Sequence, residues 1–226
     1  VSCLAPALCV GKMGMGMGAL TEGSNWREEE HDVGFVHLRM LQTVYSQLTG
    51  DRANPAPRIG RHWERLGFQG SDPSTDLRDL GMFSVLQLVY FVCKHLAAVK
   101  QIYKFASEDA SVPDAAGHGF PFTLLCIGIS KICLAALRAG CLTRAANLSG
   151  NLFKVMNEFS AGVLFEFYKH WRIKGCKITG GDFQNAIETV TNHALAHPNV
   201  MLKGADVGAY QPPAVKGAKH GESGFT

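Results

Sequence analysis

Apolar residues in this chain recur at intervals of three and four over long stretches, and nowhere do they alternate for long enough to build a strand, so the period points to an all-α fold. From about His31 to Thr49 the residues Val36 or Leu38, Leu41, Val44, Tyr45 and Leu48 mark one face, and Gly50 follows as a stop. A Pro-bearing stretch, 51–57, leads into a short helix around Arg58 to Leu66. Met82 to about Phe105 is apolar nearly all round, which predicts one central buried helix. Residues 106–119 read as a polar loop. Pro121 stands where a helix begins, and Leu125, Ile129, Ile132 and Leu137 carry that helix to Gly140 as its C-terminal cap. A long helix is expected from Arg144 or Asn147 to Trp171, with Leu152, Val155, Met156, Phe159, Val163 and Phe167 on one face, and a last one from Asp182, as N-cap, to about His193. The expected organisation is a flexible segment over 1–30, one helical domain over 31–203 and a disordered tail over 204–226, where Gly and Pro dominate.

Composition narrows the function classes. A chain of 226 residues is long enough to bury a core without disulfides or metal. Its 22 Lys and Arg against 19 Asp and Glu leave a net charge of +3, too small and scattered for an obligatory nucleic-acid partner. Seven cysteines, an odd number with no C-x-x-C pair, argue for reduced thiols and against a disulfide framework or a zinc site, and Cys126 and Cys133, seven apart, are expected on one buried helix face. The nearest approach to a membrane span, Phe120 to Leu137, is interrupted by Pro121, Gly128 and Lys131. Residues 1–20 carry one charge, Lys12, and no basic n-region, and the missing initiator Met is taken as the mark of a fragment or processed product. The expected location is cytoplasmic, with any attachment to intracellular membranes made through a partner.

Three constellations are weak. His193 and His197 stand four apart but lack the Glu of the metalloprotease motif, and Pro198 is expected to end that helix. The alternating Gly–Met run from Gly14 to Gly18 opens onto no helix that would receive a phosphate. The basic cluster Lys169, Arg172, Lys174 and Lys177 suits a helix C-terminus, and also suits an acidic partner or a membrane surface.

One stretch breaks the helical pattern from inside. Residues 62–81, HWERLGFQGSDPSTDLRDLG, are dense in Gly, Pro, Asp and aromatics and lie between two helices, where a chemically varied loop is the natural seat of binding or catalysis. Trp63 and Phe68 are expected to anchor it in the core, while Gly67, Gly70 and Gly81 permit turns that a side chain would obstruct.

Trp63, Gly67-Phe68-Gln69, Pro73, Thr75-Asp76-Leu77-Arg78, Gly81 and Leu88 together resemble the motif of the ELMO domain family. The blocks LQTVYSQLTG at 41–50, LQLVYFV at 86–92, FPFTLLCIGISKICLAALRAGCLTR at 120–144 and VMNEFSAGVLFEFYKHW at 155–171 extend the likeness over about residues 31–195. The chain looks more like the short ELMO-domain proteins than the larger engulfment-and-motility scaffolds, since it shows no neighbouring repeat or pleckstrin-like segment. The resemblance implies a single all-helical domain that activates GTP-bound Arf or Arf-like small GTPases in trans, with no cofactor or metal and with Arg78 as the catalytic finger. The alternative it implies is a non-catalytic module that binds a small GTPase or a Dock-type Rac exchange factor in cytoskeletal regulation.

The chemistry is compatible. Negative charge spreads over the phosphoryl oxygens in the transition state of GTP hydrolysis, and a guanidinium supplied in trans is worth about 10³–10⁵ in rate. Lys, a compact ammonium without the planar fork, is a poorer substitute. Around Arg78, the residues Gln69, Asp72, Thr75, Asp76 and Asp79 are expected to touch the partner or to position the loop, with Trp63, Gly67, Phe68, Pro73 and Gly81 as its anchors. Asp76 is expected to cap a helix beginning near Leu80 or to hold the guanidinium; Gln69 faces the GTPase or satisfies backbone groups. Asp79 stands where the family usually has Gly, and as a carboxylate beside the finger it is expected to compete for Arg78 and to repel phosphate. The stretch 58–81 is neutral, with Arg58, Arg61, Arg65 and Arg78 against Glu64, Asp72, Asp76 and Asp79. Val85, where the motif more often has Leu, is expected to affect packing alone.

Overall fold

The period of three and four becomes eight α-helices and two short 3-10 turns, with no strand among the described residues. A computed structural model describes residues 33–205 apart from 53–54, 110, 112–114 and 179–180. The segment 1–30, the Gly14–Gly18 run and all but the first two residues of the expected tail lie outside the described residues. In chain order the helices are α1 (Val33–Thr49), α2 (Met82–Lys94), α3 (Leu96–Ala106), α4 (Phe122–Arg138), α5 (Thr143–Ser149), α6 (Leu152–Lys174), α7 (Asp182–Ala196) and α8 (Pro198–Gly204). The 3-10 turns, Arg61–Leu66 and Pro73–Thr75, lie in the loop between α1 and α2.

Helix α6 is the axis of the core. Its residues Met156, Phe159, Val163, Leu164, Phe167, Tyr168 and Trp171 are buried, and α2, α4, α5, α7 and α8 pack around it, while α1 and α3 close the structure over α2. An apolar side chain fully removed from water contributes about 1.5–3 kcal/mol, so a helix buried along most of its length organises the elements that touch it. Three polar side chains cross this core and satisfy one another: Gln87 Nε2 donates to Ser160 Oγ at 2.7 Å, and Ser130 Oγ donates to Gln87 Oε1 at 2.7 Å. They tie α2, α4 and α6 together at a depth where an unpaired polar atom is costly. Cys126 and Cys133 are both buried on α4; burial raises both thiols, that of Cys133 to about 11, which makes them inert core residues.

Three local expectations are corrected and a fourth is extended. The stretch 82–105 is two helices that bend by 112° at His95. His95 is itself buried, edge-on to Tyr90 at 5.5 Å and Phe165 at 5.6 Å, and the apolar period resumes directly after it at Leu96, which hides the break from periodicity. The long helix expected from 144 or 147 is split: Gly150, at φ +63°, ends α5, and Asn151 caps α6 by accepting from Lys154 N–H at 2.9 Å. The N-cap of α7 is Gly181 and not Asp182, whose carboxylate accepts from Lys177 N–H at 3.0 Å. Pro198 ends α7 as expected but at once opens α8, at a first-turn position that needs no N–H.

Helix α8 lies across α6 with its backbone against Gly162. A Cβ built at Gly162 would stand 1.9 Å from the Met201 carbonyl oxygen, so the crossing exists only because that residue has no side chain. No single helix among the described residues is long and apolar enough to cross a membrane.

Candidate functional site

The loop between α1 and α2 is held from below by its aromatic residues. Trp63 is wholly buried, packs edge-on against Tyr45 and Phe68, and donates its indole N–H to the carbonyls of Arg58 at 2.9 Å and Pro57 at 3.2 Å. Gly67 takes φ +94°, and a Cβ there would meet Phe122 N at 2.6 Å, so the loop backbone rests directly on the first turn of α4. Thr123 Oγ1 donates to Leu66 O at 2.7 Å and Tyr103 Oη to Arg65 O at 3.1 Å, fixing the same segment to α4 and α3.

Its upper half is ordered by its own polar groups. Asp72 caps the second 3-10 turn, accepting from Ser74 N–H at 3.0 Å, and Pro73 is buried beside it. Thr75 Oγ1 donates to Asp72 O at 2.9 Å. Asp76 Oδ2 accepts from Gln69 N–H at 2.8 Å and so stitches the two halves of the loop. This corrects the role expected for Asp76: it neither caps α2, whose N-cap is Gly81 at φ +50°, nor holds the guanidinium. Gln69 uses its N–H in the stitch and is exposed.

Leu77 and Leu80 are buried, three apart, and the two residues between them face outward. That places Arg78 and Asp79 in solvent. Arg78 Nε donates to Thr75 O at 2.9 Å, and among the described residues its terminal nitrogens meet no carboxylate. Asp79 was expected to compete for Arg78; instead its carboxylate meets Lys131 of α4 at 2.6 Å. The Lys131 hydrogen bond, then its charge, hold the Asp79 carboxyl below the usual carboxylate range, with a smaller contribution from Arg78.

Between loop and helix runs an open groove of about 500 Å³, lined by Gln69, Thr75, Asp76, Arg78 and Asp79 on one side and by Leu124, Ile127, Gly128 and Lys131 of α4 on the other. At Gly128 no side chain fills the space, and charged groups stand on both sides, Arg78 and Asp79 on the loop and Lys131 on α4. The α4 wall was not read from the sequence. Its signal is Lys131, the one charged residue before the last turn of an otherwise apolar helix, which in the sequence serves equally as an interruption of a membrane span. Among the described residues no three His, Cys, Asp or Glu side chains converge as metal ligands. His193 and His197 approach with ring centroids 5.1 Å apart, and His193 Nδ1 lies 3.9 Å from Glu166.

A wholly helical domain that carries a TDLR loop at the edge of such a groove defines a class, and comparison with known proteins gives it a name. The chain belongs to the ELMO/CED-12 family, whose model matches residues 25–186. It is 36% identical over 170 residues to ELMO domain-containing protein 3 of Homo sapiens and 34% identical over 170 residues to that of Bos taurus; each alignment covers 74% of this chain and 42% of the relative. It is also 25% identical over 151 residues to ELMO domain-containing protein 2 of Mus musculus, covering 65% of this chain and 49% of that protein. The chain thus spans less than half the length of these relatives. No solved structure matched it.

Proposed function

We propose that this domain accelerates GTP hydrolysis on a small GTPase of the Arf or Arf-like families by presenting Arg78 to the nucleotide in trans. The observation that carries the reading is the state of that side chain: exposed, at the rim of a groove, tethered through Nε to Thr75 O, with no carboxylate at its terminal nitrogens among the described residues. Asp79 supports it, because its carboxylate forms its ion pair with Lys131, leaving Arg78 a smaller, longer-range contribution. The partner's surface would enter the groove between loop and α4, with Gln69 and Thr75 on one side and Leu124 and Ile127 on the other. The guanidinium would then stand beside the phosphoryl oxygens as their charge develops, where such a group is worth about 10³–10⁵ in rate. The proposed setting is the cytoplasm.

Single-turnover hydrolysis on several GTP-loaded Arf-family proteins tests this. Arg78→Ala and Arg78→Lys should return the rate to that of the GTPase alone, with a nearly unchanged thermal midpoint because the side chain is exposed. Undiminished stimulation by either variant overturns the finger. Stable complex formation by the wild-type chain without faster hydrolysis makes the groove a non-catalytic binding surface.

A further inference from the structure

The ten residues 169–178 hold Lys169, Arg172, Lys174 and Lys177 and no carboxylate, whereas the whole chain has a net charge of only +3, so the rest of it carries no positive surplus. They form the end of α6 and the turn toward α7. Part of this charge has an internal explanation. Arg172 lies 5.3 Å from the Phe105 ring centroid and 5.8 Å from that of Tyr168, and Lys169 sits 3.7 Å from Glu166. Lys174 complements the helix dipole. Neither account reaches Lys177, which lies beyond the left-handed cap Gly175, nor the two isoleucines of the same turn. Ile173 is 63% exposed and Ile178 is 48% exposed, and among the described residues neither Lys174 nor Lys177 pairs with a carboxylate.

The backbone at Cys176 and Lys177 is firmly held despite this exposure. Cys176 N–H donates to Trp171 O at 3.1 Å, the His118 ring nitrogen Nδ1 lies 2.8 Å from Cys176 O, and Lys177 N–H donates to Asp182 at 3.0 Å. With the backbone held at 176 and 177, Ile173 and Ile178 are exposed on either side of a fixed point of the chain. Lysine is depleted in protein–protein interfaces, where Arg and aromatics dominate, and its compact charge lacks the fork that recognises a single carboxylate. Lysine stems flanking aliphatic side chains suit a lipid boundary, where the stem lies along the apolar layer and the ammonium reaches the headgroups.

We propose that residues 173–178, the end of α6 and the residues directly after it, dock on an anionic lipid bilayer, with Ile173 and Ile178 entering the headgroup boundary and Lys174 and Lys177 meeting acidic headgroups. This surface shares no residue with the groove and stands whether or not Arg78 acts on a GTPase.

Co-sedimentation of the full 226-residue chain with phosphatidylcholine vesicles, with and without phosphatidylserine, tests it. The chain should pellet with the anionic vesicles only, and added salt should weaken that binding. Each basic side chain near such a surface is worth about fivefold in binding, so the double variant Lys174→Ala, Lys177→Ala should bind about 25-fold more weakly. Ile173→Ser with Ile178→Ser should weaken binding at every salt concentration. All four side chains are exposed, so both double variants should keep the wild-type thermal midpoint. Absent binding, equal binding to neutral vesicles, or indifference to both double variants overturns the proposal. Polyglutamate that displaces wild type and the isoleucine double variant equally well would reassign the turn to acidic proteins and also overturn it.

Discussion

Gly162 gives a prediction in which two rules of thumb have opposite signs. In the interior of a helix, Gly→Ala ordinarily stabilises by about 0.8–1 kcal/mol through helix propensity. At this position the new methyl would stand 1.9 Å from the Met201 carbonyl oxygen, 2.6 Å from its carbon and 2.9 Å from its Cα. Carbon atoms in good contact sit about 3.5–4.0 Å apart, so α8 must retreat by more than an ångström, and the obstructing atoms are backbone, which no rotamer change removes. The damage has a ceiling, because α8 is seven residues long and can lift away, exposing Met201, now 1% accessible. Overpacking costs about 1–3 kcal/mol and loss of a buried Met side chain about 1.5–3. After the gain in propensity we expect Gly162→Ala to destabilise by about 0.5–2 kcal/mol, which lowers the midpoint by about 1–8 °C for a domain of this size. Calorimetry measures the midpoint, and hydrogen exchange should show the amides of α8 losing protection ahead of the rest. Gly128→Ala in α4 is the control: its Cβ would meet nothing within 4 Å, so it should stabilise by about 0.5–1 kcal/mol. If Gly162→Ala stabilises as Gly128→Ala does, the close crossing of α6 and α8 is wrong.

Two further perturbations probe the core and the groove. Gln87→Ala removes the shared partner of Ser130 and Ser160 and leaves a cavity, so it should cost about 2–4 kcal/mol in urea denaturation; an unchanged midpoint would deny the network any part in stability. The Asp79 carboxyl is held low when folded, so the stability its pair with Lys131 adds is present above the ordinary carboxylate range and fades as pH falls through the depressed folded value. Carboxyl NMR should therefore find Asp79 titrating below the ordinary Asp value in the wild type and near it in Lys131→Ala, and no upward movement in that variant would remove Lys131 as the cause.

Much of this was legible because helices announce themselves by period. Leu41, Val44, Tyr45 and Leu48 face the core as their spacing requires, and the loop motif, with Trp63 and Phe68 as buried anchors, stood out by composition. What escaped reading has physical reasons. The corner at His95 does carry polar residues, Lys94 and His95 itself, but the apolar period resumes at once from Leu96, so it reads as one helix. The break at 150–151 did carry a marker, a Gly that ends one helix followed by an Asn that caps the next, but a periodicity that runs through it concealed it. Helix α8 begins at a proline, which stops one helix and starts the next at the same position, and the short apolar stretch after it is too brief to show a period. The far wall of the groove was out of reach for a different reason: Asp79 and Lys131 are 52 residues apart, and nothing local in either says that they meet.

The burial of Leu77 and Leu80 on either side of the exposed pair has a thermodynamic consequence. Folding has already met the ordering cost of the backbone that carries Arg78, at about 1–2 kcal/mol for each residue fixed. When another molecule meets this edge of the domain, the loop has little freedom left to surrender; what remains is the torsional freedom of one arginine, about 2 kcal/mol at most and already trimmed by the Nε tether to Thr75. Association at this edge is thus closer to the meeting of two rigid surfaces than to folding upon contact, and its heat-capacity change should reflect the area covered, with little added by ordering of the chain.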